Sequence, residues 1–215
     1  MSSKNEAPKS VVKRLPVYLR VLDNLMRNQL EIVSSKELSE ETGFTAEQIR
    51  KDLAHFGAFG TRGTGYNIEY LRDMIIKIIG LDEQTNIIVV GMGHLGIALT
   101  RYNVTKNPYV NVVAAFDVAP EIVGDIIIDD VQVYDMSRMK EIVEKHEVKV
   151  AILAVPGEKA QDAVDHIVNS GVNVVFNFAP LKLIVPENVY VHNADLSIEL
   201  QSLIFYATTE KERTS

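Results

Sequence analysis

The segment Asn86-Ile87-Ile88-Val89-Val90-Gly91-Met92-Gly93-His94-Leu95-Gly96-Ile97-Ala98-Leu99 joins a branched apolar run to three glycines spaced G-x-G-x-x-G and then resumes apolar residues. A strand that ends in this pattern and passes into a helix needs each glycine for a separate reason. Gly91 permits the tight turn, Gly93 lets bare backbone approach a pyrophosphate, and Gly96 allows helix and strand to pack closely. The unpaired N–H groups of the first helical turn then face an anion, and Met92, His94 and Leu95 of the motif are further candidates for contact with the coenzyme. A second strand, Val112-Val113-Ala114-Ala115-Phe116, ends in Asp117, 21 residues after Gly96. A carboxylate there accepts bonds from adenosine ribose hydroxyls and repels a 2′-phosphate, so the pattern favours NAD(H) over NADP(H).

Working outward, strands are expected at 86–90, 112–117, 149–155, 173–178 and 189–192, and helices at about 94–106, 136–146 and 158–170. This alternation implies a parallel sheet of Rossmann-like type. Residues 122–134 read as irregular and partly extended, and Ile126-Ile127-Ile128 has no assignment. The loop Ala154-Val155-Pro156-Gly157 follows a strand on the side where dinucleotides bind, so Pro156 is either a coenzyme neighbour or part of an ordinary turn. The last helix, from Asp195 to about Glu210, is apolar nearly all round: Leu196, Ile198, Leu200, Leu203, Ile204, Phe205, Ala207. Such a helix requires burial on every side. Exchange into a partner subunit, with Leu200 and Ile204 in the interface, makes the protein a homodimer. The alternative is packing on its own domain.

Toward the N-terminus, apolar spacing predicts a helix over 11–29 and a short helix capped by Ser35 and stopped by Gly43. A third helix runs from Ala46 to Phe56, capped by Thr45 with Gln48 in the reciprocal position. Ile49, Leu53 and Phe56 share one face of it, whereas Gln48, Arg50, Lys51 and His55 fall largely off that face. This is a helix-turn-helix plan. Gly57-Ala58-Phe59-Gly60-Thr61-Arg62-Gly63-Thr64-Gly65-Tyr66 then reads as a hairpin, the wing of a winged variant. Arg62, between Thr61 and Gly63, can enter a minor groove without steric conflict. A helix over 68–80 closes this part. The expected organisation is a winged-helix domain at 1–80, a dinucleotide-binding domain at 81–194 and a swapped dimerisation helix at 195–215.

The chain has 215 residues and a formal net charge of -7. The charge is uneven: residues 1–80 carry 12 Lys and Arg against 10 Asp and Glu, and residues 81–215 carry 10 against 19. The N-terminal part can therefore face phosphate while the rest stays acidic. The absence of Cys excludes disulfides, zinc–thiolate sites and thiol redox chemistry. A polar first ten residues and no apolar run of ~18 residues imply a cytoplasmic protein without a membrane span. No catalytic residue is expected. Tyr102 and Lys106 have a dehydrogenase-like spacing but lie on the helix after the glycine loop, and His94, His146, His166 and His192 show no metal or triad spacing. Two alternatives stay open: an NAD-dependent oxidoreductase with an appended small domain, and a nucleotide-binding regulatory subunit acting on protein.

Taken in order, these segments resemble the Rex family of bacterial redox-sensing transcriptional repressors over roughly residues 11–208. The resemblance rests on Arg50-Lys51-Asp52-Leu53 with Phe56-Gly57, Phe59-Gly60-Thr61-Arg62-Gly63-x-Gly65-Tyr66, the glycine motif, Asn177-Phe178-Ala179-Pro180 and Asp195-Leu196. It implies a homodimer that binds a palindromic double-stranded operator and is released by NADH. It also implies DNA contacts from Arg50, Lys51 and Arg62, a place for Tyr102 near the nicotinamide, and a pairing of Asp195 with Arg20.

Overall fold

The structure, a computed structural model, describes residues 7–57, 59–61 and 64–213. The chain divides into two compact units, Met1–Glu83 and Gln84–Ser215.

The first unit comprises α1 (Lys9–Arg27), β1 (Ile32–Val33), α2 (Ser35–Thr42), α3 (Ala46–Ala54), β2 (Gly60–Thr61), β3 (Gly65–Asn67) and α4 (Ile68–Ile79). Its core gathers Leu15, Tyr18 and Leu22 from α1, Leu38 from α2, Ile49 and Leu53 from α3, and Ile68, Leu71 and Ile75 from α4. The α2 cap is Ser34 rather than the expected Ser35. The Ser34 hydroxyl accepts the Glu37 N–H at 3.1 Å while the Glu37 carboxylate accepts the Ser34 N–H at 2.7 Å. Glu37 lies three residues after Ser34, the separation a reciprocal box requires, and Ser35 is then the first helical residue. Gly43 ends α2 in the left-handed conformation at φ 74°. Thr45 caps α3, but Gln48 does not reciprocate, because its side chain is drawn to Asp52. The wing contains a third strand: the sheet order is β1-β3-β2, with Val33 opposite Tyr66. Gly80 caps α4 and the Leu81 N–H reaches back to the Ile76 carbonyl at 2.9 Å. That bond keeps Leu81 with the helix, so the units part at Glu83/Gln84, three residues beyond the expected boundary.

The second unit comprises β4 (Thr85–Val90), α5 (His94–Lys106), β5 (Val110–Asp117), β6 (Ile126–Ile128), β7 (Val131–Asp135), a 3₁₀ turn (Met136–Arg138), α6 (Met139–His146), β8 (Val150–Leu153), α7 (Gly157–Asn169), β9 (Val174–Asn177), β10 (Tyr190–Asn193) and α8 (Leu196–Arg213). The seven-stranded sheet has the order β10-β9-β8-β4-β5-β7-β6. All pairs are parallel except β6–β7. Alternate residues feed two cores. Ile88, Val90, Ala151 and Leu153 join residues of α6 and α7, whereas Ile87, Val89 and Ile152 meet Ile97 and Leu99 of α5. On β5 the alternation is reset at Val113, where the register against β4 shifts between Ile87 and Ile88. Residues 122–134, read as irregular, form the β6–β7 hairpin, and β7 extends the parallel sheet beside β5.

Asp195 precedes α8 and caps it, its carboxylate accepting the N–H groups of Ser197 at 2.9 Å and Ile198 at 3.1 Å. The large apolar side chains from Leu196 to Tyr206, Leu200 and Ile204 among them, are 52–65% exposed. Packing of this helix on its own domain is therefore not what the fold contains.

Candidate functional site

The strand order places β4 at the centre, with the chain proceeding first through β5 to β7 and then crossing to β8, β9 and β10. The carboxyl ends of β4 and β8 thus flank the point where the direction of winding reverses, the usual seat of a dinucleotide. A crevice of about 370 Å³ opens there, within the size range of small-ligand sites. It is lined by Gly91 and Gly93, by Asp117 at the end of β5 and Val118 after it, by Val155 and Pro156 before α7, and by Lys159, Asp162 and His166 on α7.

The glycine loop is shaped by close approach. Gly91 has φ 94°, and a Cβ on it would come within 2.6 Å of the Ala154 carbonyl oxygen. A Cβ on Gly96 would overlap the Gly91 carbonyl oxygen and lie 2.9 Å from its carbon. A Cβ on Gly93 would meet nothing within 4 Å, so the space above it is open to a ligand phosphate. Gly93 is also the N-cap of α5, and no side chain caps that helix end. Its first-turn N–H groups keep their attraction for an anion. His94 and Leu95 are exposed at this end, and Met92 is buried beneath the loop.

Asp117 does more than face a ribose. Its Oδ2 accepts the Met92 N–H at 2.6 Å, and its Oδ1 accepts those of Val118 at 2.7 Å and Ala119 at 2.9 Å. The carboxylate therefore fixes the glycine loop as well as its own turn; Oδ1 is filled by its two bonds, and Oδ2 keeps one acceptor direction for a ligand hydroxyl. The residues present fit a dinucleotide with an unphosphorylated ribose. Tyr102 is 60% exposed on α5 and does not line the crevice. In the sequence, Asn177 stands out only as a member of the run Asn177-Phe178-Ala179-Pro180. The fully buried amide of Asn177 donates to the carbonyls of Ala179 and Leu181 and to Asn193, and its oxygen accepts the Ala179 N–H. It thereby orders the loop after β9.

In the first unit, α3 presents Arg50 and Lys51 to solvent. Arg50 donates to the Ser35 hydroxyl at 2.8 Å, and Lys51 pairs with Glu47 at 2.7 Å. The Lys51 ammonium holds the Glu47 carboxyl below its ordinary range. Gln48, expected on the free face, turns inward and donates to Asp52 at 2.7 Å. Arg62 and Gly63 lie outside the described residues. Arg20 is exposed on α1.

Asp52, only 1% exposed, is the charge at the centre of this unit. Its Oδ2 accepts Arg14 Nε and the Tyr18 hydroxyl, both at 2.6 Å. Its Oδ1 accepts Arg14 Nη2 at 2.8 Å as well as Gln48. Burial alone would raise the Asp52 carboxyl, but the bonds from Arg14, Tyr18 and Gln48 outweigh it and hold the group below its usual range. Burial, and then Asp52, push the Tyr18 hydroxyl well above the ordinary tyrosine range. Removing one member of such a pair costs ~3–5 kcal/mol, because a buried charge is left uncompensated.

The two shifts bound stability from opposite sides. Asp52 is more acidic folded than unfolded, so its contribution is complete above about pH 4 and is lost as pH falls further. Tyr18 holds its proton more tightly when folded, so its contribution is complete below about pH 10 and is lost as pH rises. Melting temperatures of the wild type should decline on both flanks, and Tyr18→Phe should flatten the alkaline one.

Among the described residues, no group of three His, Cys, Asp or Glu side chains could hold a metal ion, and no helix is long and apolar enough to cross a membrane. A winged helix-turn-helix unit followed by a Rossmann-type sheet in one chain is the plan of a nucleotide-responsive transcription regulator. Comparison with known proteins narrows that class. Residues 82–181 match the family described as "CoA binding domain", and residues 6–54 match "Putative DNA-binding protein N-terminus". The redox-sensing transcriptional repressor Rex of Natranaerobius thermophilus is 59% identical over 215 residues, covering 100% of this chain and 98% of the relative. Rex of Listeria innocua is 41% identical over 214 residues, covering 100% and 99%. Among solved structures, RSP in complex with β-NAD⁺ and operator DNA superposes with a TM-score of 0.88 at 37% identity, covering 96% of this chain and 95% of that one. RSP in complex with β-NADH gives 0.85 at 35%, covering 98% of each chain. The chain belongs to the Rex family of redox-sensing transcriptional repressors. The oxidoreductase alternative is set aside, since the full-length relatives are named as repressors.

Proposed function

We propose that the chain acts in the cytoplasm as a homodimer that grips a palindromic operator through its winged-helix units and releases it when NADH fills the crevice of the second unit. One observation carries the reading. The same chain presents a preformed dinucleotide cradle, Gly91 to Gly96 with Asp117, and a helix-turn-helix whose third helix turns Arg50 and Lys51 to solvent.

Gly91, Gly93, Gly96 and the uncapped start of α5 would hold the pyrophosphate, Asp117 the adenosine ribose, and Val118, Val155 and Pro156 the base. Tyr102 would meet the nicotinamide of the assembled dimer, where Asp195 pairs with Arg20 across subunits and α8 supplies Leu200 and Ile204 to the interface. Arg62 and Gly63 of the wing would enter the minor groove. The coenzyme is sensed and not turned over. Oxidised nicotinamide carries a positive charge that the reduced ring lacks, so a pocket that desolvates the ring can tell them apart. The coenzyme then sets the angle between subunits, and that angle must place the two α3 helices one helical turn, or a multiple, apart. Moving occupancy from 99:1 to 1:99 takes ~5.5 kcal/mol of differential affinity, and DNA must weaken NADH binding by the same factor.

The test is to enrich palindromic duplexes from a randomised pool with the wild-type protein, then to measure gel retention with NADH or NAD⁺ added separately. Release by NADH and retention with NAD⁺ are expected; equal retention in both rejects the coupling. At the ribose, Asp117→Ala should reduce the preference for NADH over NADPH about 100-fold by removing like-charge repulsion. Parallel titrations with the two coenzymes measure that preference.

A further inference from the structure

The Asp52 cluster exceeds what stability asks of it. A buried ion pair is seldom better for stability than apolar side chains of the same volume. What it supplies is geometry. Four donors from three side chains converge on one carboxylate: two from the planar guanidinium of Arg14, one from Tyr18 and one from Gln48. Those four bonds take up roughly the four acceptor directions a carboxylate has. Arg14 and Tyr18 are one turn apart on α1, whereas Asp52 and Gln48 are one turn apart on α3.

The cluster also includes the turn between α2 and α3. The Arg14 guanidinium lies 5.8 Å from the centre of the Phe44 ring, and Tyr18 meets Phe44 edge-on at 5.9 Å. Apolar contacts tolerate a few degrees of helix rotation. A two-pronged guanidinium–carboxylate pair does not, because rotation would leave a buried charge short of its partners. Asp52 directly follows Arg50 and Lys51 in the chain, so the angle at which Asp52 is pinned is the angle at which those two cations are presented.

We infer that Asp52, held by Arg14, Tyr18 and Gln48, is a positioning residue for operator reading: it sets the rotation of α3 about its own axis so that Arg50 and Lys51 reach base edges. This rests on the DNA-binding function proposed above. Phosphate contacts tolerate a misaligned helix, but base-edge contacts do not. Loss of the clamp should therefore reduce discrimination between the operator and other duplexes more than it reduces binding itself.

The full-length protein is titrated with its enriched palindrome and with a scrambled duplex of equal length, at one salt concentration, with thermal melting and NADH titration as controls. Asp52→Asn keeps the shape and removes the charge. Its affinity for the palindrome should fall about 30-fold, with that for the scrambled duplex changing by less than about threefold. In Arg14→Met/Asp52→Leu, an apolar pair replaces the ions, and melting should return toward wild type without recovery of the palindrome-to-scrambled ratio. A wild-type ratio in either folded variant overturns the inference. If neither variant folds, Tyr18→Phe decides, since it keeps the ion pair and removes one donor. A drop of about threefold or more in its ratio supports the clamp, and a smaller one overturns it. If the wild-type protein itself enriches no palindrome, the DNA reading has failed, which is a separate result from failure of the clamp.

Discussion

Gly96→Ala should cut NADH affinity at least 100-fold, on the order of the 3 kcal/mol that overpacking a closed site can cost. The added methyl would overlap the Gly91 carbonyl oxygen and lie 2.9 Å from its carbon, and these are backbone atoms that no side-chain rotation can move aside. Either the start of α5 lifts from β4 or the loop opens, and both displace the N–H groups that face the phosphates. The winged-helix unit contains none of these residues, so operator retention should persist and lose its response to NADH. Calorimetric titration with NADH, followed by gel retention with and without it, measures both. An affinity within threefold of wild type would show that the coenzyme sits elsewhere.

Truncation after Asp195 should convert a dimer into a monomer and lower affinity for a palindromic duplex about 1,000-fold, as a linked pair of half-site contacts becomes a single one. Leu196, Leu200, Leu203 and Ile204 are all exposed on α8, and the apolar stretch from Leu196 to Tyr206 is a costly surface to leave in water. Sedimentation would report the assembly, while NADH titration confirms that the Rossmann unit remains folded. A truncated protein that stays dimeric would place the interface on other elements.

The parts of this molecule that could be read from sequence are those set by local rules. The G-x-G-x-x-G loop, the glycine helix stops at Gly43 and Gly80, and the Thr45 cap each depend on residues close together in the chain. The β6–β7 hairpin is weakly marked in the sequence for two reasons. Its strands are short, and its turn contains Asp129 at φ 48°, where a glycine would have announced the reversal. The alternation Val131-Gln132-Val133 was nevertheless a usable signal. β1 is two residues long and exists because β3 comes to lie beside it, a long-range fact. Gln48 differs for the same kind of reason: helical spacing puts it off the apolar face, but the buried carboxylate of Asp52 turns its amide inward. The twofold role of Asp117 follows from β4 and β5 being neighbours, which spacing alone does not show.

The bond from the Met92 N–H to Asp117 means that the glycine loop holds its shape before any ligand arrives. Oxidised and reduced coenzyme share an identical adenosine half, so both meet the same ready cradle and compete for it. Where the total pool is ample, occupancy then follows the proportion of the two forms and not their amount. A cell that doubled its coenzyme without changing that proportion would leave such a protein's output unmoved.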